Sequence, residues 1–133
     1  MGSLIDSSVL VAIERGDLDL ERRLAETADD AFAISVITAS ELLHGVHRAV
    51  AEARRAKREA WVEAILSTVP VLGFDLIAAR VHARLAATLA SSGATVGAHD
   101  LIIGATALGR GLGVVTRDLR SFPRIPGLDL HVW

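Results

Sequence analysis

The chain contains no cysteine among its 133 residues. That removes disulfide staples, thiolate metal sites and cysteine nucleophiles together, and points to a reducing cytosol. Aromatic residues are scarce, at 4%. The core must therefore be aliphatic, and little is available for stacking on nucleic-acid bases. No apolar run approaches the ~20 residues that span a bilayer. The apolar start is interrupted by Asp6 and followed at once by Glu14 and Arg15. Without a basic leader or a cleavage site, it does not read as a signal peptide. A surplus of positive charge is missing too, since the net charge is −2. Nucleic-acid binders usually carry such a surplus, so any basic surface here must be local.

What is present is a core. Hydrophobic residues make up 51% and charged residues 23%, the balance of a folded chain rather than a disordered one. The length suits one domain, 1–133. Apolar runs predict strands at Met1 to Ile5, Phe32 to Ser35, Val69 to Leu72, Gly113 to Thr116 and Leu128 to Val132. Pro70 argues for an edge position for the third of these. Helical patterns lie between them. Ser7 or Ser8 can cap the first, which runs through Ile13. Asp17 can cap the second, with Leu20, Leu24 and Ala28 on one face. Ser35 or Thr38 can cap the third, which holds Glu41, Leu42 and Val46. Ala51 to Leu66, Leu76 to Leu89 and Ala98 to Leu108 are the others. Alternation of this kind predicts an α/β fold with a mainly parallel sheet. Sites in such folds lie beyond the carboxyl ends of the strands, where strand order switches. Asp6 and Asp118 both fall just past predicted strands.

Four acids adjoin strongly apolar sequence: Asp6, Glu41, Asp100 and Asp118. Carboxylates held near a core are costly without partners. A cluster of them repels itself and retains protons unless a cation binds. Oxygen-only donors favour hard ions, Mg²⁺ or Mn²⁺, and such ions suit phosphodiester cleavage without a protein nucleophile. Singly, each acid also has a structural reading. Asp6, Asp100 and Asp118 can cap a helix or turn, and Glu41 can be a solvated helix residue.

Other features carry less. Glu41-x-x-His44 has the spacing of a di-iron helix, but such a bundle needs two copies. Gly109-x-Gly111-x-Gly113 follows a helix and precedes a strand, the reverse of a dinucleotide loop. Arg48, Arg54, Arg55, Lys57 and Arg58 form either a solvated helix face, balanced by Glu52, Glu59 and Glu63, or a strip that tracks phosphates. Arg117, Arg120 and Arg124 follow the fourth strand and are better placed to touch RNA. His99, beside Asp100, can touch substrate or simply start its helix.

Four segments, in this order, resemble the PIN domain and in particular the VapC toxins: Leu-Ile-Asp-Ser-Ser-Val-Leu-Val, Ile-Thr-Ala-Ser-Glu-Leu-Leu-His-Gly-Val, Ala-His-Asp-Leu-Ile-Ile-Gly-Ala-Thr-Ala-Leu, and Val-Val-Thr-Arg-Asp-Leu-Arg-Ser-Phe-Pro-Arg-Ile-Pro-Gly-Leu. The resemblance covers essentially the whole chain and implies a three-layer α/β/α fold with five strands in the order 3-2-1-4-5. It implies a Mg²⁺-dependent ribonuclease, the toxin of a type II toxin–antitoxin pair. Asp6 and Asp100 would be the principal metal ligands. Glu41 and Asp118 would act through water or a second ion, and Thr116 would support the pocket by hydrogen bonding. Gly104 is the one departure, at a position where Ala is common. A VapB-like antitoxin would block the pocket with its tail and bind DNA with its other end, leaving this chain only indirect contact with DNA. A homodimer in the cytoplasm, away from membranes, is the implied state. Leu42, Val46 and Trp61 are expected to offer the antitoxin an apolar groove. Two other functions fit the residues: a non-catalytic module that kept the fold, and a phosphohydrolase acting on DNA or a small phosphate ester.

Overall fold

A computed structural model describes residues 2–133. Residue pairs that alternate in sequence are sent to opposite faces of a sheet, and the chain uses this to build two cores. Leu4, Ala33 and Val114 point to one face and Ile5, Ile34 and Val115 to the other. The strands that carry them are β1 (Gly2–Ile5), β2 (Ala31–Ser35) and β4 (Gly113–Thr116). All three are apolar on both sides, as strands covered by helices on both faces must be. Helix α5 (Leu76–Ser92) and helix α6 (Ala98–Gly109) cover the first face through Val81, Leu85 and Ile103. Helices α1 (Ser7–Glu14), α3 (Val36–Arg48) and α4 (Glu52–Thr68) cover the second through Val9, Leu42, Val46 and Val62. The three-layer arrangement is the one expected.

The short strands β3 (Val71–Leu72) and β5 (Leu130–Val132) complete a five-stranded sheet in the order β3-β2-β1-β4-β5, with every pairing parallel. Pro70 stands just before the edge strand. Its carbonyl accepts from Ile34, and its missing N–H is not needed on the outer side. Val69, expected in this strand, instead ends α4 by donating to Ile65. At the other edge Leu128 packs into the core rather than extending β5. Met1, included in the expected first strand, lies outside the described residues.

Two helix starts differ from expectation, and a third decides between two expected caps. Asp6 occupies the N-cap position of α1, yet its carboxylate makes no cap bond, and Ser7 and Ser8 lie inside the helix. Helix α2 (Leu20–Glu26) is capped by Asp19, whose carboxylate accepts from the Arg22 N–H, and not by Asp17. It buries none of its residues, and Ala28 lies beyond its end. Helix α3 is capped by Ser35 through the Ile37 N–H, not by Thr38.

The small residues of α6 allow it to lie close to α5. A Cβ at Gly109 would meet Ile77 Cγ2 at 3.2 Å and the backbone of Ala78 at 3.6 Å. Gly104 has a similar reason. Ile125 from the loop after β4 fills the space where its side chain would stand, with Cδ1 only 2.6 Å from an ideal Cβ.

Candidate active site

Strand β1 lies at the centre of the sheet, and the chain proceeds from it to β2 on one side and β4 on the other. The crevice of a switch in strand order thus opens beyond the carboxyl ends of β1 and β4. Asp6 is the next residue after β1. It is 4% exposed, and its N–H donates to the Val115 carbonyl at 2.9 Å, fixing it against β4. Two hydroxyls converge on its carboxylate. Thr116 Oγ1 donates to Oδ2 at 2.9 Å and Ser8 Oγ donates to the same atom at 2.7 Å. Each hydroxyl also accepts a backbone N–H, from Asp118 at 2.9 Å and from Arg117 at 3.1 Å. The last residue of β4, the first turn of α1 and the loop after β4 are thereby tied together through one acid.

Glu41 comes from the middle of α3, where Leu42 and Val46 on the adjoining face anchor the helix in the core. Ser7 donates to its Oε2 at 3.2 Å, and His99 Nδ1 lies 3.8 Å from its Oε1. Asp100 sits in the first turn of α6, whose N-cap is Gly97. It is therefore not a cap, which settles one of its two readings. Ser121 reaches it by hydrogen bonding. Glu41 and Asp100 both titrate above the ordinary carboxylate range. Loss of hydration is the leading cause in each, and repulsion from Asp6 is next. Each also feels the other or Asp118. Three acids from β1, α3 and α6 are thus brought within electrostatic reach of one another.

Asp118 behaves differently. Arg120 grips it with three donors: its N–H and Nε to Oδ1, both at 3.0 Å, and Nη2 to Oδ2 at 2.8 Å. These bonds hold the Asp118 pKa down at about 2. The Arg120 side chain remains 90% exposed. The fourth acid therefore stands at the rim, turned onto an arginine. Its N–H, through Thr116, links it to Asp6.

The donor set fits a hard divalent cation. It is all oxygen, partly dehydrated, and carries uncompensated repulsion that a cation would relieve. Among the described residues, no group of three or more His, Asp or Glu side chains stands ready to hold an ion; Ser7 binds Glu41 and Arg120 binds Asp118 instead.

The expected RNA-contacting arginines separate. Arg117 Nη1 donates to the Asp17 carbonyl at 3.4 Å and Arg124 Nη1 to the Thr95 carbonyl at 2.7 Å, whereas Arg120 binds the Asp118 carboxylate directly. Of the residues expected to offer an apolar groove, Leu42 and Val46 are buried and Trp61 packs against the same core. Ser7, Ser8 and Ser121 were not singled out as pocket residues. The i, i+2 spacing of Asp6 and Ser8 was the one available signal, since a hydroxyl there can turn back onto the acid.

Comparison with known proteins agrees with this geometry. Residues 3–128 match the PIN domain. Ribonuclease VapC1 of Rickettsia felis is 35% identical over 98% of this chain and 95% of its own length. The tRNA(fMet)-specific endonuclease VapC of Salmonella typhimurium is 41% identical over 75% of this chain and 74% of its own length. The crystal structure of DNA-bound VapBC from Salmonella typhimurium superposes with a TM-score of 0.88 at 32% identity, covering 100% of this chain and 99% of that one. A strand order, a four-acid pattern and whole-length relatives converge: this chain belongs to the PIN-domain family, among the VapC ribonucleases.

Proposed function

We propose that the chain is a Mg²⁺-dependent endoribonuclease, the toxin of a two-component toxin–antitoxin pair acting in the cytoplasm. Mn²⁺ is the alternative ion. The observation that carries this reading is Asp6, a buried carboxylate at the switch in strand order, held by two hydroxyls and repelling Glu41 and Asp100. Asp6 and Asp100 would hold the cation directly, and Glu41 and Asp118 would face it through water or a second ion. The cation supplies a water of lowered pKa and neutralises charge on the scissile phosphate. Thr116 and Ser8 fix the orientation of Asp6. Glu41, raised by burial and by Asp6, would take a proton from the attacking water. Arg120, aimed by Asp118, presents a guanidinium to the substrate phosphate.

Relatives of this chain are crystallised as VapBC complexes, that of Salmonella typhimurium bound to DNA. By the same reading a VapB-like antitoxin is the partner, DNA contact is indirect, and the toxin is a homodimer. Among the described residues no helix is long and apolar enough to cross a membrane.

The test is expression of the chain alone and together with a VapB-like antitoxin. Growth arrest relieved by co-expression, together with RNA cleavage by purified protein that needs Mg²⁺ or Mn²⁺, is the expected result. A folded protein that cleaves DNA or small phosphate esters but no RNA would overturn the reading.

Two further outcomes are expected. Arg120→Ala should weaken RNA binding and flatten its logarithmic salt dependence by about 0.7, the contribution of one single-strand phosphate contact; an unchanged slope would remove Arg120 from the substrate site. The second concerns pH. The raised native pKa values of Glu41 and Asp100 contribute stability below their ordinary values of 4.5 and 3.8. That contribution is lost as pH rises through the higher native values. A cation binds the deprotonated acids and displaces their protons. The rise in Tm produced by Mg²⁺ should therefore be small near about pH 4, grow as the acids ionise, and then level off. A Mg²⁺ shift that is flat across this range would exclude the two acids as ligands. Asp118, lowered to about 2, keeps its contribution above 3.8 and loses it only as pH falls through about 2.

A further inference from the structure

Asp100 is the third residue of α6, and Gly97 is the residue that caps the helix. A carboxylate at the third position can turn back to accept the N–H of the capping residue. That N–H is already taken here. It donates to Ser121 Oγ at 3.1 Å, and the Ser121 hydroxyl gives its own proton to the Asp100 carboxylate.

Gly97 makes room for the arrangement. Its φ of −56° is open to any residue, so what matters is the side chain it lacks. A Cβ there would lie 3.4 Å from Asp100 Oδ2 and 3.6 Å from Ser121 Oγ. Carboxylate and hydroxyl thus meet over one bare backbone position. The Ser, Thr, Asp or Asn that usually caps a helix would crowd both.

Ser121 is also fixed from its own side. Phe122, the next residue, is 1% exposed, and Ile125 fills the space over Gly104 of α6. Arg124 Nη1 donates to the carbonyl of Thr95, two residues before Gly97. The segment after β4 is thereby fastened to the start of α6. The same pattern holds at Asp6, where Thr116 accepts the Asp118 N–H and donates to the acid. Both hydroxyls belong to the one stretch 116–121.

We propose that Ser121 is the positioning residue of Asp100: it takes the backbone N–H that would draw the carboxylate back onto its own helix, and so holds that carboxylate free for the cation. The inference rests on the reading of Asp100 as a cation ligand and deepens it. A partner that orients a ligand is felt in metal affinity as well as in rate.

The experiment titrates Mn²⁺ alone, without RNA, into the whole chain and its Ser121→Ala and Ser121→Thr variants by calorimetry. Ser121→Ala should bind about tenfold or more weakly. Ser121→Thr keeps the hydroxyl and should bind close to wild type. Cleavage of an oligoribonucleotide by Ser121→Ala should be low at low Mn²⁺ and recover as Mn²⁺ is raised, because the ligand is misdirected and not lost. A Ser121→Ala protein whose metal-free Tm falls while its Mn²⁺ affinity stays wild type has lost only a cap on Gly97, and overturns the proposal. Ser121→Thr as weak as Ser121→Ala overturns it too. If Ser121→Ala does not fold, Ser121→Cys takes its place, since a thiol is a weak donor and a weak acceptor. Weaker Mn²⁺ binding than Ser121→Thr then supports the proposal, and equal binding overturns it. A wild-type chain that binds Mn²⁺ but cleaves no RNA ends the ribonuclease reading alone, and the variants' affinities still decide Ser121. A wild-type chain that binds no Mn²⁺ overturns both.

Discussion

Asp6→Asn should reduce RNA cleavage by roughly a thousandfold or more, the scale on which losing a preorganised charge interaction at a reacting centre is felt. The fold should survive. Asparagine has the shape of aspartate, and its carbonyl oxygen can still accept from Thr116 and Ser8 where Oδ2 does now. What changes is charge. The repulsion that Asp6 exerts on Glu41 and Asp100 disappears, so both should titrate closer to ordinary carboxylates. The metal-free variant should then be at least as stable as the wild type near neutral pH. Its Tm should no longer respond to Mg²⁺, because a ligand that binds only the native state raises stability only if it binds. Activity, thermal shift and carboxylate titration by NMR thus test one cause in three ways. A folded variant within tenfold of wild-type activity would remove Asp6 from the chemistry.

Thr116→Val is the second large effect. Thr116 is fully buried. Its hydroxyl donates to Asp6 and accepts from the Asp118 N–H. Valine keeps the volume and deletes both bonds. The orphaned N–H and the loosened carboxylate should cost about 1–3 kcal/mol of stability. Activity should fall about 10–100-fold, as when a group orienting a metal ligand is lost. Thr116→Ser restores the hydroxyl and should recover most of the activity. If serine is no better than valine, the residue acts by packing alone.

Much of this was legible in the chain. Val114 and Val115 in succession, like Leu4 and Ile5, announce strands covered on both faces, and the layers follow from that. Acids placed after such strands announce a site. The Thr116 hydroxyl was expected from the resemblance, but the part of Ser8 was not legible, because Ser8 and Thr116 meet only after β1 and β4 have paired. Nor was the capture of Asp118 by Arg120 two residues later, which depends on how the loop turns. The burial of Leu42 and Val46 was hidden for a similar reason. Leu42 and Val46 are as apolar as a docking surface, and helical spacing alone does not say whether the face they share meets the sheet or the solvent. Asp17 and Asp19 are equally good caps in sequence, and only the backbone chose between them.

Helix α2 buries no residue, and Leu24 is 43% exposed. Its ties to the remainder are peripheral, such as Arg23 stacked 6.0 Å from the Trp133 ring. Local openings need only the free energy of the contacts they break. Residues 20–26 should therefore exchange their amide hydrogens long before the strands do, and trypsin should cut at Arg22 or Arg23 while the sheet stays assembled. This stretch is where the chain can be nicked, tagged or lengthened without disturbing the acids.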